Sequence, residues 1–483
     1  MKRGLHALCV FALAIAIRFY KIEAFPLWSD EIFSWLVSHL SPSQIVTHLY
    51  EGNNPPLWEL LLHFWEKGWG DDVRSIRSLS ALLSAGAAVG LFLLGARTGK
   101  MWVGWLSASL WIFSSFGQSV GREARAYALL AFLTTLSHLA FLRWKATNQG
   151  FFLWAASLAG LFFTHYMGLS VAVVQIFYLL LTQPERLSRS LYSLAILSLG
   201  FSMQAVILIE RLISYPQSEP KALELSLEGL YNLLWRFSNQ PVPTVIGAGI
   251  LLIGLFLAWK ARKSQKEDWI YPYFAFLGIY LPLWFLGIFL RVWQDRYLIP
   301  AAMGYYWALG TSFFLMPKWI RLGMVGAFLP TWMLSWTPTP SGMMPFYREL
   351  SLRVQKKPSH LWLIVSPSWC AWDWAYYFSH PIRDLSSQNL FDRLSAEMRL
   401  YYRITGASAY ADLPPCEIQA ADTIWWLEMN YCSLFPEGML QDILSEDFYP
   451  IRIERFGKNI YLWTWIRGKE KPTYKGESVQ TPP

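Results

Sequence analysis

Phe25-Pro26-Leu27-Trp28-Ser29-Asp30-Glu31 is the stretch on which the reading of this chain turns. Ahead of it stand Met1-Lys2-Arg3 and an apolar run over residues 5–19. Two adjacent carboxylates at the water-facing mouth of a membrane helix have no packing role there. Acids kept at a membrane boundary are costly enough to be functional candidates by default. No small-residue cleavage site follows the apolar run, and many more apolar segments come after it, so the run reads as a retained spanning helix.

Composition supports a membrane setting. Of 483 residues, 54% are hydrophobic and 15% charged, where soluble proteins carry about a quarter charged residues. The mean hydropathy is +0.27, and the 27 Trp suit a membrane–water boundary. The net charge of +8 comes from basic residues set singly or in pairs between apolar runs. That pattern fits topology signals rather than a nucleic-acid patch, and no nucleic-acid partner is expected. Cys9 lies in the first helix; Cys370, Cys416 and Cys432 lie near the C-terminus, where one disulfide is possible and its pairing open.

Segments able to cross about 30 Å of hydrocarbon fall near 5–24, 78–96, 101–117, 126–143, 151–164, 167–182, 190–210, 243–259, 270–290, 297–316 and 320–336. With the N-terminus inside, every inner loop carries basic residues: Arg97 and Lys100, Arg143 and Lys145, Arg186 and Arg189, Lys260 to Lys266, Lys318 and Arg321. Eleven crossings place Asp30-Glu31, Arg122, Arg125, His165, Arg296 and everything from residue 337 outside. Residues 25–77 form a long outer loop with amphipathic helical pieces at 31–40 and 57–65; 211–242 form a second outer loop. From about residue 340 the composition turns soluble. Strands are expected at 360–365 and 423–427, a helix at 371–378, and a hairpin over 450–466 around Gly457-Lys458-Asn459. The expected fold is mainly α: a polytopic bundle of about eleven transmembrane helices over residues 1–336, a small extracytoplasmic α/β domain over 337–468, and a disordered tail over 469–483.

Polar clusters gather in the outer loops: Asp30-Glu31; Glu51-Gly52-Asn53-Asn54-Pro55-Pro56-Leu57; Arg122-Glu123-Ala124-Arg125-Ala126-Tyr127; Thr164-His165-Tyr166; and Asp295-Arg296-Tyr297. Arginine offers a planar fork matched to phosphate oxygens. A nearby carboxylate can take a proton from an attacking hydroxyl or amine, and a cation beside a departing phosphate stabilises its growing charge. Together they suit transfer from a lipid phosphate, with the phosphate at the interface and its hydrocarbon in the bilayer.

Trp28-Ser29-Asp30-Glu31-Ile32-Phe33-Ser34-Trp35 resembles the first-loop signature of GT-C superfamily membrane glycosyltransferases, most of all the family 39 branch of protein mannosyltransferases and aminoarabinose transferases. The resemblance continues through Asn54-Pro55-Pro56-Leu57, Arg74 to Ser80, Arg122 to Tyr127, Thr164-His165-Tyr166 and Arg296-Tyr297-Leu298-Ile299-Pro300. It implies inverting transfer of a sugar from a polyprenyl-phosphate donor to a lipid, glycan or protein acceptor on the outer face, in a bacterial inner membrane. By position, Asp30 is the catalytic base and Glu31 supports it. Arg122, Arg125 and Arg296 bind the donor phosphate, and Glu51, Asn54, Tyr127, His165 and Tyr297 support substrate or structure. No cofactor is fixed by the resemblance; a divalent metal is the candidate, with Glu31, Glu51 and His165 as possible ligands. The chain departs from the pattern before Pro55: relatives carry an acid where Gly52 stands, and Glu51 is the nearest substitute.

Plainer readings exist for the same residues. Asp30-Glu31 can open a helix, Asn54-Pro55-Pro56 can be a stiff turn, and Arg122 and Arg125 can be anchors with snorkelling stems. Arg74 and Arg77 read as headgroup or intraloop contacts, and His165 as a satisfied residue at a helix end. Rival functions are a lipid-linked transporter, whose repeated halves are not evident, a polysaccharide polymerase or ligase, and a catalytically inactive scaffold.

Overall fold

The computed structural model describes residues 2–24, 27–51, 55–98, 100–186, 227–261, 269–290, 295–336, 361–366, 423–429, 448–456 and 460–468. The chain divides into two compact units, Met1–Ala24 with Ser41–Ser341, and Phe25–Leu40 with Gly342–Pro483.

Ten of the eleven expected spans appear as helices of the first unit; the segment at 190–210 lies outside the described residues. They are α1 (Lys2–Phe19), α5 (Val73–Gly95), α6 (Met101–Ile112), α8 (Tyr127–Thr147), α9 (Phe151–Thr164), α10 (Leu169–Thr182), α12 (Pro241–Ala261), α13 (Tyr271–Leu290), α14 (Ile299–Leu315) and α15 (Lys318–Leu334). By length and apolarity, Val73–Thr98, Tyr127–Thr147 and Pro241–Ala261 suffice to cross a membrane; Met101–Ile112, Phe151–Thr164, Tyr166–Thr182 and Tyr271–Leu286 are shorter apolar helices. The expected span at 101–117 is broken: α6 ends at Ile112, and Ser114 caps a new short helix, α7 (Ser115–Arg122), by accepting the Gly117 N–H at 2.8 Å.

Small residues let these helices approach closely, as expected where the hydrophobic effect gives no drive between them. A Cβ on Gly90 of α5 would lie 2.2 Å from Thr135 Oγ1 of α8, and one on Gly304 of α14 would lie 2.5 Å from the Ala275 carbonyl carbon of α13. Helix α14 is buried over nearly its whole length and so forms the centre of the unit. Three shorter helices complete the described part: α3 (Pro42–Glu51), which the sequence reading did not separate, α4 (Leu57–Trp69) and α11 (Leu227–Ser238).

The second unit contains α2 (Ser29–Ser38) and four strands: β1 (Leu361–Ser366), β2 (Thr423–Met429), β3 (Phe448–Phe456) and β4 (Ile460–Arg467). The sheet order is β1-β2-β4-β3. β1 and β2 run parallel, and the other pairs antiparallel. The two apolar runs expected as buried strands and the expected hairpin do form strands; the helix expected at 371–378 lies outside the described residues, as do Cys370, Cys416 and Cys432.

Candidate functional site

Four loops of the first unit bring charged and aromatic side chains together. The first contribution comes from α4, which Pro55 and Pro56 introduce and whose first turn carries Glu59, 2% exposed. A helix N-terminus favours an acid there. The second comes from the turn between α7 and α8. Arg125 N–H donates to the Glu123 carbonyl at 2.8 Å, and the buried Arg125 side chain stands with Nη1 3.9 Å from Glu59 Oε1.

Tyr127 opens α8, and the Arg296 guanidinium lies 5.1 Å from the centre of its ring, within cation–π range. Arg296 and Tyr297 belong to a 3-10 turn, Asp295–Leu298, that leads into α14. His165 ends α9 and caps a second 3-10 turn, Tyr166–Gly168. Its ring lies 5.9 Å from that of Tyr127 and 5.4 Å from that of Tyr297.

The electrostatics of His165 follow from this company. Burial lowers its pKa to about 4, and the guanidiniums of Arg125 and Arg296 push the same way. The ring is therefore neutral at neutral pH. Its Nδ1 accepts the Met167 N–H at 3.2 Å, so the neutral ring carries its proton on Nε2. With Nδ1 occupied and Nε2 protonated, His165 presents a hydrogen-bond donor rather than a metal lone pair. Among the described residues no group of three His, Cys, Asp or Glu side chains is placed to hold an ion. The side chain of Glu51 lies outside them. The described residues by themselves assemble no three-residue metal centre.

Arg122 points elsewhere. Its Nε donates to the Arg18 carbonyl at 3.2 Å and its Nη2 to the Ile17 carbonyl at 2.8 Å, so it satisfies the C-terminal end of α1. Burial and the nearby Arg77 lower its pKa, and Tyr20 opposes them. Arg18, fully buried, does the same for α6, donating to the carbonyls of Ile112 at 2.8 Å and Trp111 at 3.1 Å. Arg74 pairs with Glu23 at 3.4 Å on the surface, and buried Arg77 donates to the Ile22 carbonyl at 2.9 Å.

Asp30 and Glu31 stand in the first turn of α2, in the second unit. Glu31 is buried and its Oε2 accepts the Trp28 N–H at 3.2 Å, a reach-back cap. Asp30 is half-buried. Of the residues singled out in the sequence, the structure thus joins Arg125, Tyr127, His165, Arg296 and Tyr297 in one cluster. It turns Arg122 toward α1, and it carries Asp30 and Glu31 on a separate unit. Asn54 lies outside the described residues. Glu59 and Arg18 escaped the sequence reading. An acid two residues past Pro-Pro-Leu and a lone arginine inside an apolar run were their only signals.

No family model matches the chain, and no curated protein matches it in sequence. Solved structures do match. ArnT from Cupriavidus metallidurans bound to undecaprenyl phosphate superposes with a TM-score of 0.59 at 10% identity, covering 95% of this chain and 97% of that one. The same protein in the apo state gives 0.58 with the same coverage. The Archaeoglobus fulgidus oligosaccharyltransferase in its apo form gives 0.50 at 11% identity, over 77% of this chain and 64% of that one. At such identities the likeness is one of fold alone, shared with ArnT over nearly the whole chain.

Proposed function

We propose that this protein, with its GT-C fold, is an integral membrane glycosyltransferase that moves a sugar from a polyprenyl-phosphate carrier to an acceptor on the outer face. The convergence of Arg125, Arg296 and neutral His165 carries the reading. Two guanidiniums and an Nε2–H donor at one place make a phosphate site. The structural neighbour bound to undecaprenyl phosphate supports a polyprenyl carrier as the ligand, and the basic inner loops support the outer-face orientation.

In the proposed step an acceptor hydroxyl or amine forms a bond to the anomeric carbon while the bond from that carbon to the phosphate oxygen breaks. The electron pair leaves with the phosphate, the acceptor proton passes to the Asp30 carboxylate, and the configuration inverts. Asp30 is preferred to Glu31 because Glu31 is buried and spends an oxygen on its own helix. Arg125 and Arg296 meet the charge that grows on the phosphate, where such stabilisation is worth a few kcal/mol. The sugar and the acceptor follow from the assay below rather than from the site.

The test uses right-side-out vesicles given lipid-linked sugar donors from outside, with mass analysis of the products. Asp30→Asn is expected to abolish transfer and keep undecaprenyl phosphate binding, whereas Arg296→Ala is expected to weaken that binding about tenfold or more. Undiminished transfer by Asp30→Asn removes the proposed base; undiminished binding by Arg296→Ala removes the proposed phosphate site.

A further inference from the structure

Glu59 has no step in the chemistry above, yet it is buried beside the phosphate cluster. Burying a carboxylate is costly unless something opposes its charge. The N-terminus of α4 and the Arg125 guanidinium both do so. At 3.9 Å the pair is at the outer edge of an ion pair, well beyond the 2.7–2.9 Å or so of a charge-assisted hydrogen bond. Glu59 therefore acts on Arg125 chiefly through charge rather than by fixing it in a fork.

Resting on the donor-site reading, we propose that Glu59 tunes the charge of that site, lowering by one unit the positive charge that Arg125 and Arg296 present. The consequence differs between the two ends of the reaction. A sugar phosphodiester carries one negative charge. The monoester left when the sugar departs gains a second ionisation with a pKa of about 6, so it is close to a dianion at neutral pH. Repulsion from Glu59 scales with ligand charge and so weighs about twice as heavily on the product as on the donor. The carboxylate thus favours release of the spent carrier, which would otherwise be held more tightly than the donor by two guanidiniums and an imidazole donor.

A purely structural role gives the opposite sign. If Glu59 only held α4 or Arg125 in place, its removal would weaken anion binding. The experiment titrates the full-length protein in detergent at pH 8 with undecaprenyl phosphate and, separately, with its methyl phosphodiester, comparing wild type, Glu59→Gln and Glu59→Asp. Glu59→Gln is expected to bind the diester about threefold tighter and the monoester about tenfold tighter. Glu59→Asp, which restores the charge, should return toward wild type. Glu59→Met supplies the same comparison if the amide disturbs folding. Unchanged or weaker monoester binding by the uncharged variants overturns the proposal while leaving the donor site intact. A wild type that binds neither lipid phosphate overturns the donor site and the role of Glu59 with it.

Discussion

At the scale of single residues, His165 shows how the site sets its own chemistry. Its ring stays neutral because burial and two flanking guanidiniums resist a second proton. The unfolded chain takes up that proton below about pH 6.5, while the folded chain refuses it until about pH 4. Between those values the unfolded state binds more protons, so stability falls as pH drops and the loss is complete near pH 4. The full shift corresponds to about 3 kcal/mol; the ring keeps some exposed surface, so ~1–2 kcal/mol is the expected loss. Chemical denaturation at pH 7 and pH 4.5 should show a smaller acid loss in His165→Gln than in wild type, and equal losses would contradict the assignment. Most of this cluster was legible in the sequence. Arg125, Tyr127, His165, Arg296 and Tyr297 are polar or aromatic residues at the ends of apolar runs, in a characteristic order. Glu59 was not legible, because an acid in the first turn of an amphipathic helix is usually solvated, and only the packing of α4 shows that this one is buried.

At the scale of elements, helix ends decide what the arginines do. A helix leaves its last carbonyls without internal partners, and in an apolar interior they need donors. Arg122 supplies them to α1 and Arg18 to α6. Gly121 makes room for this arrangement, since a Cβ there would lie 2.5 Å from the Arg18 side chain. Arg122→Ala is therefore expected to cost about 3–6 kcal/mol through two lost charge-assisted hydrogen bonds. It should lower the thermal midpoint in detergent while changing undecaprenyl phosphate affinity far less than Arg296→Ala. A stably folded Arg122→Ala variant that has lost binding would return Arg122 to the phosphate site. The helices themselves were readable because long apolar runs have few alternatives in a membrane. The break at Phe113-Ser114 was not, since hydropathy continues across it and only the hydroxyl cap of α7 marks it. The inward turn of Arg122 was equally hidden, because sequence spacing places a guanidinium on a loop without saying which carbonyls lie within its reach.

At the scale of the whole molecule, the two proposed halves of the reaction belong to different compact units. The phosphate cluster is built wholly from the first unit, whereas Asp30 rides on α2, which belongs with the C-terminal sheet. From the sequence, residues 25–77 read as one outer loop of the membrane part; nothing in a linear chain shows that α2 groups with strands more than three hundred positions later. The division predicts that binding and transfer are separable by a substitution confined to the second unit. Trp35 on α2 is 6% exposed, and removing a buried indole costs about 3–5 kcal/mol. In the full-length chain Trp35→Ala should loosen the unit that carries the proposed base and leave the arginine cluster as it was. Undecaprenyl phosphate titration is then expected to be unchanged within about twofold, while transfer falls by about two orders of magnitude, since a base displaced by ~1 Å loses most of its effect. Parallel loss of binding and transfer would mean that the lipid phosphate depends on the second unit as much as on the first. In that case the phosphate site is not the self-contained cluster of Arg125, His165 and Arg296.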